Sequence, residues 1–139
     1  MKIIICPDSF KGSLSSVEAA DAIARGVRIG VGDAVELVSL PLADGGEGTV
    51  EALVRASRGE IRRCKAHDPL GREIDSFYGV CGDGKTAVIE MAAASGLTLL
   101  SDSERNPLFT STFGTGELIR AAAESGVDRI IVGIGGSTT

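Results

Sequence analysis

The chain has little that would tie it to a metal cluster, a disulfide framework, a membrane or a nucleic acid. Its 139 residues include one histidine and three cysteines. Cys6, Cys64 and Cys81 lie far apart with no C-x-x-C pair, and His67 alone cannot complete a Cys/His metal set. An odd number of distant cysteines reads as reduced thiols with structural roles, and therefore as a cytoplasmic protein. No apolar run approaches membrane-spanning length. The residues before Pro7-Asp8 are too few for a signal peptide's apolar region. The net charge is −5 and the basic residues are scattered, so neither a nucleic acid nor a membrane is an expected partner. The sequence leaves the oligomeric state open.

Glycine, by contrast, is abundant: 19 residues of 139, about twice the usual share. No Gly-X-Y period or low-complexity tract absorbs them, so they belong to turns and ligand-facing loops. With 43% hydrophobic and 24% charged residues, the composition is that of a globular chain able to bury a core.

The most informative stretch is Pro41-Leu42-Ala43-Asp44-Gly45-Gly46-Glu47-Gly48-Thr49. It follows an apolar run (Ala34 to Leu40) and precedes a segment with helical spacing (Val50, Leu53, Val54). That places it at the carboxyl end of a strand and the start of a helix, where open α/β sheets bind ligands. Its glycines let a ligand approach the backbone, and Asp44 and Glu47 could hold a metal or accept a proton. An ordinary βα turn, with Glu47 favouring the helix start, is the plainer reading.

Taken in order, Lys2 to Cys6 reads as a buried strand ended by Pro7, followed by the polar loop Asp8-Ser9-Phe10-Lys11-Gly12-Ser13-Leu14. Ser15 and Glu18 form a capping-box signature. Val17, Ala20, Ala24 and Val27 then share a helical face that should fade near Gly30 to Gly32. Ala34 to Leu40 is a second strand, so the first two units are strand–loop–helix and predict a parallel sheet. Past Gly59, the segments Arg62 to His67, Glu73 to Val80 and Thr86 to Met91 read as an antiparallel meander, turning at Asp68-Pro69-Leu70-Gly71 and Gly82-Asp83-Gly84. A domain boundary is expected near Gly59, between residues 1–59 and 60–139. Ala92 to Leu100 fits either a helix start or an apolar loop. Thr115 or a neighbour should cap a helix ending at Gly126, and Arg129 to Ile134 is a further buried strand. The chain stops in Gly135-Gly136-Ser137-Thr138-Thr139, directly after that strand, and reads as a fragment lacking a C-terminal portion.

Several motifs compete. Gly79-Val80-Cys81-Gly82-Asp83-Gly84-Lys85-Thr86 satisfies the P-loop pattern, but Asp83-Gly84 is a hairpin signal and the following residues favour strand, so the pattern is rejected. Gly133-Ile134-Gly135-Gly136 lacks the third glycine of a dinucleotide fingerprint and fits better as an anion nest with Ser137 and Thr138. Phe113-Gly114-Thr115-Gly116-Glu117 opens a helix whose N–H groups could hold an anion, or simply uses its glycines for tight entry. Asp68 and Glu90 read singly as turn or surface residues. Lys11 is the better candidate for a phosphate or carboxylate contact.

Taken together, Pro7 to Leu14, Pro41 to Thr49, Asp68-Pro69-Leu70-Gly71-Arg72, Ala87-Val88-Ile89-Glu90-Met91-Ala92, Ala94-Ser95-Gly96-Leu97, Asn106-Pro107-Leu108, Gly114-Thr115-Gly116-Glu117-Leu118-Ile119 and Gly133-Ile134-Gly135-Gly136-Ser137 resemble the signature loops of the type I glycerate kinases, in family order. Three positions depart from the family pattern: Cys6 replaces a usual Ala, Phe113 a frequent Tyr, and Thr138 a usual Ala. The resemblance implies a two-lobed α/β enzyme with a Rossmann-like lobe, of which residues 1–59 form the first part and 60–139 begin the second α/β domain. It further implies ATP- and magnesium-dependent phosphorylation of D-glycerate, with the 139-residue chain alone inactive.

On that reading Asp44, Glu47 and Lys11 are the catalytic candidates, and Asp44 is the magnesium ligand or the acceptor of the substrate proton. Asp8, Ser9, Gly45, Gly46, Asp68, Arg72, Glu90 and Ser95 are the substrate-binding candidates. Gly114, Thr115, Gly116, Gly135, Gly136 and Ser137 are the nucleotide-phosphate candidates. The alternatives are a ligand-binding module without turnover and, disfavoured by its glycine spacing, a nicotinamide-dependent oxidoreductase.

Overall fold

A computed structural model describes residues 1–10 and 13–138. The chain forms two compact units, Met1–Asp44 and Gly45–Thr139. In the first, β1 (Lys2–Ile5) pairs in parallel with β2 (Glu36–Ser39), Ile3 standing opposite Leu37. The parallel pairing agrees with the strand–loop–helix pattern, and α1 (Ser16–Val31) forms the crossover. The capping box is present: Glu18 N donates to Ser15 Oγ at 3.2 Å, and Ser15 N donates to Glu18 Oε2 at 2.9 Å. The helix buries Ser16, Ala19 and Ala20 and ends at Gly32, whose φ of 70° favours glycine. A 3-10 turn at Gly32–Ala34 delays β2 to Glu36, two residues later than the apolar run suggests.

The second unit contains α2 (Thr49–Ser57), β3 (Glu60–His67), β4 (Glu73–Val80), β5 (Thr86–Glu90), α3 (Ala92–Ser95), α4 (Phe113–Glu124) and β6 (Arg129–Gly133). Its sheet has the order β3-β4-β5-β6. The expected meander is there, since β3–β4 and β4–β5 are antiparallel, and β6 then adds in parallel to β5. Ala92 to Leu100 resolves into one helical turn followed by a 3-10 turn at Leu97–Leu99.

Helices cover both faces of this sheet. Ala87 and Ile89 of β5 face Leu118 and Ala122 of α4, while Val88 between them meets Val50 and Val54 of α2. β5 is buried at all five positions, as a near-continuous apolar run predicts for a strand covered on both sides. Its packing also explains why the units divide before α2, whereas a boundary near Gly59 would place that helix with the first strands. The helix's apolar stripe belongs to the β4–β5 face. No helix among the described residues is long and apolar enough to cross a membrane.

Because β4 alone runs the other way, β3, β5 and β6 end at the same edge of the sheet. His67, Glu90 and Gly133 are their last residues. The Cys81–Lys85 hairpin lies at the opposite edge, and β5 rather than a helix follows it, in agreement with rejecting the P-loop.

Candidate functional site

The edge where β3, β5 and β6 end gathers most of the glycine-rich loops of the second unit. Gly45 and Gly46, just before α2, meet Gly133, the last residue of β6, and Gly135 beyond it. Gly135 N donates to Gly45 O at 2.9 Å. A Cβ on Gly133 would stand 2.5 Å from Gly45 O, and one on Gly135 would stand 2.7 Å from Gly46 N. Backbone packs on backbone here, and only glycine permits it. The N–H of Gly135, a candidate for a phosphate, is thus already committed to Gly45. The chain continues through Gly136, whose carbonyl accepts from Leu97 N at 3.1 Å, and Ser137, which bridges to Gly96.

Glu90 ends β5 at the start of α2. Its side chain is 3% exposed, and Oε1 accepts from Val50 N at 2.6 Å, so the carboxylate caps the helix from another element. Burial raises its pKa from 4.5 to about 6, and the charges of Glu51 and Glu47 add to the shift against the N–H groups of Val50 and Gly48. Thr49 Oγ1, one residue before Val50, is buried with no hydrogen-bond partner among the described residues. Glu47 is exposed, and its Oε1 accepts from Thr98 Oγ1 at 3.0 Å. The Asp44 carboxylate precedes Gly45 and is exposed.

The other candidates are held in hydrogen-bonded clusters. Asp68, also 3% exposed, accepts from Leu70 N and Arg72 N at 2.9 Å and from Arg72 Nε. Burial pushes its carboxyl up, but the Arg72 backbone and guanidinium and the Leu70 N–H together hold it below its ordinary value. Arg72 gives its other nitrogens to Glu104 at 2.8 Å and to Leu99 O at 3.3 Å. Its fork is therefore filled by the protein itself.

Ser95 is fully buried, with Oγ 2.8 Å from Thr115 Oγ1, and its carbonyl accepts from Thr138 N and Thr138 Oγ1. Thr115 therefore does not cap α4. The helix begins at Phe113, where the N–H bonds Ser111 Oγ. Gly114 serves close packing, since a Cβ there would lie 1.8 Å from His67 O. Gly116 is exposed, and a Cβ on it would meet nothing within 4 Å, so packing does not require a glycine there. In the loop after β1, Ser9 N donates to Asp8 Oδ1 at 2.6 Å. Lys11 lies outside the described residues.

Sequence reasoning missed one pair. His67 Nδ1 stands 2.9 and 3.1 Å from the two oxygens of Glu117, and His67 N donates to Oε2 at 2.8 Å. The partners are fifty positions apart, so no spacing rule joins them. Only the presence of a lone histidine immediately before the Asp68 turn could have drawn attention.

These features define an α/β unit whose glycine-rich loops meet where its parallel strands end, the usual position for a ligand site. The glycerate kinase family profile matches residues 3–139, and the chain belongs to that family. It is 58% identical to a glycerate kinase of Bacillus subtilis (strain 168) and 55% identical to a glycerate 2-kinase of Escherichia coli (strain K12), across 100% of this chain and 36% of each relative. A crystal structure of a protein assigned as glycerate kinase 2 from Salmonella typhimurium LT2 superposes with a TM-score of 0.81 at 54% identity, over 99% of this chain and 36% of that one. The chain thus spans about a third of the length of these relatives.

Proposed function

We propose that this chain takes part in transferring the γ-phosphoryl group of ATP to D-glycerate, at the 2-hydroxyl. The observation that carries the reading is the convergence of the Gly45-Gly46 loop, Glu90, the loop after β6 and the start of α4 on one sheet edge. The names of the relatives supply glycerate as the acceptor, that of the Escherichia coli protein points to the 2-hydroxyl, and the D configuration and ATP are what the family resemblance implies.

Phosphoryl transfer relies mainly on positioning and charge neutralisation. The first turn of α4 is offered to the phosphates because Gly116 is exposed and packing does not require a glycine there, although its own N–H donates to Thr112 O at 3.3 Å. Among the described residues no three His, Cys, Asp or Glu could together hold a metal. Magnesium, however, is ordinarily bound through one or two carboxylates with phosphate oxygens and waters. Asp44 would provide such a carboxylate, and the acidic crowd that raises the Glu90 pKa favours a cation nearby. When bound, magnesium would neutralise charge on the phosphates. In the first unit, Asp8, Ser9 and Lys11 keep the roles towards the acid that the family resemblance implies.

A chimera tests the proposal: residues 1–139 replace the matched region of the Bacillus subtilis relative, and product is followed by a coupled assay and phosphorus NMR. 2-Phosphoglycerate is expected. 3-Phosphoglycerate would overturn the choice of hydroxyl, and binding without product would favour a ligand-binding module.

A further inference from the structure

We propose that His67, oriented by Glu117, takes the proton from the glycerate hydroxyl during phosphoryl transfer. This rests on the function proposed above and adds a catalytic base to it. His67 ends β3, on the edge where β5 and β6 also end, and its carbonyl packs against Gly114 at the start of α4. Its ring is fixed at Nδ1 by both Glu117 oxygens, and the Phe113 ring lies edge-on at 5.8 Å. With Nδ1–H donating to the carboxylate, Nε2 carries the lone pair. Among the described residues no hydrogen bond reaches Nε2, and the side chain is 38% exposed.

A purely structural tie between β3 and α4 would not need this ring. Glu117 already holds the strand through the backbone N–H of His67. A carboxylate that holds Nδ1–H while Nε2 faces outward is the arrangement that makes imidazole a base. The Glu117 side chain is 15% exposed, and its carboxyl is held below its ordinary value, chiefly by the hydrogen bond from the His67 ring. It stays ionised and can balance the charge that the ring gains.

The step balances without a redox partner. The glycerate oxygen bonds to the γ-phosphorus, and the bond from that phosphorus to the β–γ bridging oxygen breaks. ADP leaves with the electron pair, and Nε2 gains the hydroxyl proton. The imidazolium then returns its proton to water.

His67 is the only histidine of the chain, so its ring nitrogens can be read unambiguously by nitrogen-15 NMR of the 139-residue protein. In the neutral form of the ring the proton is expected on Nδ1, and a neutral form protonated chiefly at Nε2 would overturn the proposal. In Glu117→Ala, which removes the acceptor of Nδ1–H, the ring should move towards the Nε2–H tautomer, and an unchanged tautomer would remove Glu117 from the role. In the chimera, His67→Gln should lower kcat by about a hundredfold or more, with KM for D-glycerate changing less than about threefold. An unchanged kcat in an active chimera would sink this proposal alone. An inactive parent chimera would sink the function proposed above, and this base with it.

Discussion

Asp68, in the turn after β3, and Glu90, at the end of β5, are equally buried at 3% exposure, yet their carboxyls shift in opposite directions. Burial works upward on both. On the β3 side it is outweighed by two backbone N–H groups and the Arg72 guanidinium, which Glu104 also holds. On the β5 side the acid faces helix N–H groups but also two further carboxylates, Glu51 and Glu47. Among the described residues no ion pair reaches Glu90 or Glu47. One end of the sheet edge is neutralised from within the chain. The other keeps a surplus of negative charge, and that is where a bound cation has most to offer.

The β3 side depends on α4 starting hard against it, and Gly114→Ala tests that most severely. The added methyl would meet a backbone oxygen at 1.8 Å, and neither β3 nor α4 can yield that much without repacking. The melting temperature should fall by more than about 10 °C, and a melt unchanged from the parent would show that the approach is not tight. A smaller break is Asp68→Ala, which leaves the N–H groups of Leu70 and Arg72 without their acceptor. Chemical denaturation should register a loss of about 2–3 kcal/mol. If stability holds, the neutralisation on this side is not what keeps the turn together.

The β5 side responds in the other direction. A carboxyl raised from 4.5 to about 6 on folding stabilises the protein fully below the unfolded value and loses that contribution as pH rises through about 6. Asp68, with its carboxyl lowered, contributes above its unfolded value and loses it only as pH falls through the lower folded one. Glu90→Gln keeps an oxygen for Val50 N and removes the charge. At pH 7 it should be more stable than the parent by about 1 kcal/mol, with the gain vanishing near pH 4. Denaturation curves at both pH values decide this, and a destabilised variant at pH 7 would mean that the charge on the α2 helix outweighs burial.

This contrast is only half legible in the sequence. The strand–loop–helix rhythm marks β1, α1 and β2, the capping box marks the start of α1, and Asp83-Gly84 marks the hairpin, because local propensity sets each of them. The glycine loops stand out as sites by composition alone. Part of that glycine serves backbone-to-backbone packing between Gly45 and Gly135, or between Gly114 and His67, which only the folded chain shows. Arg72 reads as available for a ligand because two of its three acceptors, Leu99 and Glu104, lie twenty-seven and thirty-two positions away in sequence. Glu117 lies inside a glycine-marked helix start, with nothing in the sequence to link it to His67.

The hairpin at the opposite edge supplies the zero of the comparison. Lys85 sits there with its side chain 70% exposed and its ammonium 3.6 Å from a similarly exposed Asp128. The turn is held by Asp83, which accepts from Lys85 N, Thr86 N and Thr86 Oγ1, and the Lys85 carbonyl accepts from Asp128 N and Arg129 N at the start of β6. All of those contacts use backbone, Asp83 or Thr86, so Lys85→Ala preserves them. An exposed ion pair of this kind adds little, and the melting temperature should stay within about 2 °C. In the chimera, kcat/KM for ATP should change by less than about threefold. A P-loop lysine touches the β- and γ-phosphates, and its loss would be far more damaging. A hundredfold fall with an unchanged melt would move the phosphates to this edge of the sheet, and the acidic β5 side would lose its claim to the ligand.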